Sequence, residues 1–69
     1  MEKFISKKEV MKYIDRVIDV PKQIKREAYQ YILHNSSLMK DENGNVKINE
    51  REMQECLREW GYIHTVYVN

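Results

Sequence analysis

Two helix starts are written into this chain more firmly than anything else in it, and together they leave little freedom in how the rest is arranged. Ser6 and Glu9 stand three apart in the pattern of a capping box, with Ile5 and Val10 at the flanking positions where two apolar side chains close over a helix entry. Asn49 and Glu52 repeat the spacing, and Ile48 and Met53 repeat the apolar pair. The first signal predicts a helix from Lys7, with Val10, Met11, Ile14, Val17 and Ile18 on one side and Lys8, Lys12, Asp15 and Arg16 on the other. It should stop near Ile18 or Asp19, because the residue before Pro21 is driven out of the helical region. Asp19 is the expected cap of a second helix with Pro21 in its first turn, and Ile24, Ala28, Tyr31 and Ile32 form its buried stripe as far as about His34. Asn35, Ser36 and Ser37 then close it. The third helix, from the Asn49 cap, turns Met53, Cys56, Leu57 and Trp60 inward and Arg51, Glu55, Arg58 and Glu59 outward, with Gly61 as the expected left-handed stop.

Beyond Gly61 the apolar period changes from 3.6 to 2. Tyr62, His64, Val66 and Val68 alternate with Ile63, Thr65 and Tyr67, which predicts a strand over residues 62–68. Its partner is expected near residues 38–48, where Asn43-Gly44 marks a tight turn between two short flanks. The predicted fold class is therefore α+β: three short amphipathic helices with a small antiparallel sheet made of that hairpin and the C-terminal strand. Both flanks of the hairpin are short, so the sheet closes either as a three-stranded patch or with the same strand of a second copy.

At 69 residues the chain is a single small domain, residues 1–69, and a chain of this size hides only about 60% of the surface it exposes when unfolded. One cysteine, Cys56, makes no internal disulfide, so the fold must live on packing or on self-association. No apolar run is long enough to span a bilayer, and MEKFISKK lacks the apolar stretch of a secretion signal, so the expected location is the cytoplasm. Frequent Lys, Glu and Ile with sparse Arg fit an AT-rich genome and a small accessory protein of a bacterium or its phage. A net charge of +1 announces neither a nucleic-acid binder nor an acidic mimic of one.

Catalytic chemistry is poorly supplied. His34 and His64 are the only histidines, Cys56 lies on the predicted core stripe, and Gly44 and Gly61, the only glycines, form no phosphate-cradling loop. Zinc would need four ligands in a recognisable spacing, and none is present. No enzyme activity, cofactor or metal is expected. The sharpest local match is to calcium: Asp41, Asn43, Asn45, Ile48 and Glu52 resemble positions 1, 3, 5, 8 and 12 of an EF-hand loop, covering residues 41–52. Val46, however, occupies position 6, where the sharp turn calls for glycine. A helix-turn-helix is opposed by a loop of about fourteen residues between the second and third helices, which suits a hairpin better than a recognition turn.

Charge is unevenly spread. Residues 1–34 carry eight Lys or Arg against five acids, and residues 35–69 carry four against six. On the second helix Lys22, Arg26, Tyr29 and Leu33 project away from the buried stripe, with Lys25 at its edge. Such a face is either buried against two neighbours, or docks a protein with a basic rim, or lies along a phosphate backbone. On the C-terminal strand Ile63 and Tyr67 face away from Val66 and Val68, towards water or another subunit. The preferred expectation is a non-enzymatic regulatory module binding a protein partner, or itself as a homodimer, through Lys22, Lys25, Arg26, Tyr29, Leu33, Ile63 and Tyr67. A nucleic-acid-binding regulator using the basic face of the second helix stands second, and the EF-hand-like calcium loop third.

Overall fold

The structure is a computed structural model that describes residues 2–69. In chain order the described residues form β1 (Phe4–Ser6), α1 (Lys7–Val17), α2 (Lys22–Asn35), β2 (Leu38–Lys40), β3 (Val46–Asn49) and α3 (Glu50–His64). This is the expected α+β class, with three helices beside a small antiparallel sheet.

Both helix-start signals operate. The Ser6 hydroxyl accepts the Glu9 amide while the Glu9 carboxylate accepts the Ser6 amide, so the capping box is complete. Asn49 caps α3 by accepting the Glu52 amide at 3.0 Å. The Glu52 carboxylate does not return to its own cap; it accepts the Ser37 amide at 2.6 Å and ties α3 to the end of the α2–β2 connection. Ile5, Val10, Ile48 and Met53, the four residues flanking the two caps, are all buried. The start of α2 differs from expectation: Pro21, not Asp19, holds the cap position, no side chain caps the helix, and the Pro21 carbonyl accepts the Ile24 and Lys25 amides.

The sheet has the order β1-β3-β2, antiparallel throughout. Its third strand is therefore the N-terminal segment, where Ile5 pairs with Ile48, and not the expected strand over residues 62–68. Residues 62–64 continue α3 instead, helical through Gly61, and the chain reverses at Thr65 (φ 58°, ψ 41°), leaving Val66–Asn69 as an unpaired extended tail. The physical reason is local. Gly61 was expected to end the helix by taking a left-handed conformation, but Thr65 takes that conformation four residues later, and the tail that follows folds down over Gly61. The tail pairs with no strand; it bonds to Gly61 of α3 and to Val17 at the end of α1, and its alternating Val66 and Val68 pack on the core.

The core gathers Ile5 and Ile48 from the sheet, Val10, Ile14, Val17 and Ile18 from α1 and its end, Ala28 and Ile32 from α2, and Met53, Leu57 and Trp60 from α3. Helix α2 packs between α1 and α3. The Tyr31 hydroxyl donates to the Glu59 carboxylate across the α2–α3 seam, which holds the phenol above its ordinary pKa. No helix among the described residues is long and apolar enough to cross a membrane.

Candidate functional site

The seven expected contact residues separate into two groups. On α2, Lys22 and Arg26 are exposed, but they share their face with Gln23, Glu27 and Gln30, so the surface is polar and of mixed charge. Lys25 is half-buried and its ammonium lies 3.2 Å from the Asp15 carboxylate of α1, a link between helices and not a free cation. Tyr29 and Leu33 are half-buried and pack against the core, and burial pushes the Tyr29 phenol above its ordinary range. The outward apolar face expected of this helix is thus largely consumed by its position between α1 and α3. What remains outside is a patchwork of both signs.

Ile63 and Tyr67 fall in the second group and are 58% and 81% exposed. They sit on either side of the reversal at Thr65, together with Tyr62, which is 90% exposed. A strand reading puts Tyr62 on the same side as Val66 and Val68, and so inside. Counting helical turns from Trp60 puts it nearly opposite the core stripe, which is where it lies. That was the available signal for a residue the period-2 reading misplaced.

This end of the molecule is built by the last turns of α3 and the returning tail. Trp60 is buried, and its ring lies 4.8 Å from that of His64, one turn on. Thr65 is the only non-glycine residue with positive φ among the described residues, and a β-branched side chain makes that conformation costly. The Val66 amide donates to the Gly61 carbonyl at 2.8 Å, and the Asn69 amide donates to the Val17 carbonyl at 2.9 Å. Val66 and Val68 pack on the core while Tyr67 between them points out, so the alternation read from the sequence survives without a sheet. The tail can approach this closely because residue 61 has no side chain: a Cβ there would stand 2.6 Å from Val68 Cγ2 and 2.7 Å from the Val66 carbonyl oxygen.

The 41–52 segment takes a different shape from a calcium loop. One Asp41 carboxylate oxygen accepts the Asn43 and Asn45 amides, each at 2.9 Å, and Gly44 at φ 79° turns the hairpin. Val46, at the position a calcium loop reserves for glycine, begins β3. Asp41 is thereby committed to the turn and Glu52 to Ser37, and each carboxyl is held below its ordinary pKa chiefly by those backbone amides. No group of three or more His, Cys, Asp or Glu side chains that could hold a metal ion occurs among the described residues. Cys56 is half-buried, its thiol donating to the Asn35 carbonyl at 3.4 Å.

A second apolar exposure lies on the sheet. Leu38 and Met39 of β2, the strand at one edge, are 48% and 44% exposed. Comparison with models of known families, with curated proteins and with solved structures found no match to this chain.

Proposed function

We propose that the chain is a small non-enzymatic interaction module that binds a protein partner through the C-terminal end of α3 and its returning tail. The observation that carries this reading is the gathering of Tyr62, Ile63 and Tyr67, the three most exposed large apolar side chains, around one chain reversal. Aromatic side chains at a protein surface are the residues that most often dominate binding energy when a partner covers them. Two of these three were expected from sequence; the five expected on α2 contribute less, because Lys25 is paired and Tyr29 and Leu33 serve the core. The mixed charge of the α2 face also favours a protein partner over a phosphate backbone, which rewards a run of one sign. The module acts in the cytoplasm, consistent with its unpaired thiol, as an accessory protein of a bacterium or its phage.

The test is affinity capture from the source cells with three baits: the native chain, an Ile63→Asp/Tyr67→Asp double variant, and a Lys22→Ala/Arg26→Ala double variant. The expected result is a protein prey that the native and α2 baits retain and the Ile63/Tyr67 bait loses. Loss with the α2 bait and retention with the other would overturn the reading.

A further inference from the structure

We propose that the groove now filled by the chain's own tail accepts the same tail from a second copy, so that two chains exchange residues 66–69 about a twofold axis. This deepens the reading above by naming the partner, and it rests on that reading for the surface involved. The occupant is specified by what already sits there: an extended segment whose Val66 and Val68 pack beside Gly61 and the core, and whose Asn69 amide meets the Val17 carbonyl. A second copy's tail supplies the identical contacts, atom for atom.

Two observations favour exchange over closure. The closed form forces Thr65 into a left-handed conformation that its branched Cβ resists; in the exchanged form Thr65 continues outward and the strain is released in both chains. Moreover, the hinge is a single residue, so exchange draws the two α3 ends together. That contact covers Tyr62 and Ile63, the side chains flanking the hinge on the helix side, which closure leaves in water. Exchange of an identical element costs little in new chemistry, because the only interactions it must add are those between the two helix ends.

The experiment uses the full chain. Asp19→Cys, between α1 and α2, and Asn69→Cys, in the tail, stand on one cavity that the tail walls on one side; both are introduced with Cys56→Ser, and the protein is oxidised at increasing concentration. Exchange predicts a covalent dimer on a non-reducing gel whose share rises with concentration. Separately, Thr65→Gly removes the penalty on the closed form of both chains, so sedimentation should show its dimer dissociating at least about thirtyfold more readily than the native one. Exclusively internal cross-links at every concentration, or equal dimer dissociation for Thr65→Gly and the native chain, would overturn the proposal. Should the engineered pair fail to oxidise, the sedimentation comparison decides alone. A strictly monomeric chain whose prey is still lost with the Ile63/Tyr67 bait would end the exchange proposal and leave the docking surface standing.

Discussion

Replacing Gly61 with alanine sets two effects against each other. Gly61 lies inside α3, three residues before its end, where alanine is favoured over glycine by about 1 kcal/mol. Considered as a helix position alone, Gly61→Ala should stabilise the protein. The added Cβ, however, would stand 2.6 Å from Val68 Cγ2 and 2.7 Å from the Val66 carbonyl oxygen, and the second of these is backbone held in place by the Val66 amide bonding the Gly61 carbonyl. The tail must leave. Its departure exposes two half-buried valines, at about 1 kcal/mol each, and breaks two backbone hydrogen bonds, at about 1 kcal/mol each. The loss of about 4 kcal/mol exceeds the helical gain, for a net destabilisation of about 3 kcal/mol. In a domain of this size each kcal/mol moves the melting temperature by about 4–8 °C, so thermal denaturation followed by circular dichroism should show a fall of about 12–24 °C. In a chain ending at Thr65 the sign should reverse, with Gly61→Ala raising the melt by about 4–8 °C. A rise in the full-length chain equal to the rise in the shortened one would refute the reasoning, because it would mean that nothing packs over Gly61.

Leu57→Ala removes a fully buried side chain from the face of α3 that meets the core, and should cost about 2–5 kcal/mol, measurable as a lower urea midpoint at unchanged slope. Glu9, Asp41 and Glu52 all have folded pKa values below their ordinary ones, chiefly through the Ser6, Asn45 and Ser37 amides respectively. A depressed carboxyl stabilises the fold above its unfolded pKa and ceases to do so as pH falls through the folded value. The melting temperature should accordingly hold from neutrality to about pH 5 and decline below that, and Glu9→Gln/Asp41→Asn/Glu52→Gln should flatten the decline. Calcium should leave the melting temperature where chelator leaves it, since Asp41 and Glu52 are committed to separate hydrogen-bond systems; an ion-dependent rise abolished by Glu52→Ala would restore the calcium reading.

The helices were legible because their signals are local. A capping box and its apolar neighbours act within one turn, and Ser6, Glu9, Asn49, Ile5 and Met53 all do what their spacing implies. The hairpin was legible for the same reason, through Gly44 and the turn chemistry of Asp41. The N-terminal strand was not: Phe4–Ser6 is three residues long, too short to show a period, and its inclusion in the sheet depends on β3, more than forty positions away. The tail misled for a different reason. Val66, Tyr67 and Val68 do alternate between inside and outside, but alternation records only that one side of an extended segment is buried and does not say whether a strand or a helix buries it. Running that alternation back into Tyr62 and Ile63 crossed the reversal at Thr65, where the period changes. For the candidate site, Ile63 and Tyr67 were placed outside by the wrong geometry and are outside by the right one. On α2, Tyr29 and Leu33 looked outward on a wheel drawn for a helix with one neighbour; α2 has two, and both helices claim part of that face.

The central proposal is that two copies of this chain meet at the reversal at the end of α3. The measurement that reaches it most directly is a side-chain NMR spectrum recorded as the native protein is concentrated from the low micromolar to the millimolar range. Progressive shifts are expected at Tyr62, Ile63 and Tyr67, with Gln23 and Gln30 of α2 unmoved. Constant positions for the first three, or movement confined to α2, would contradict it.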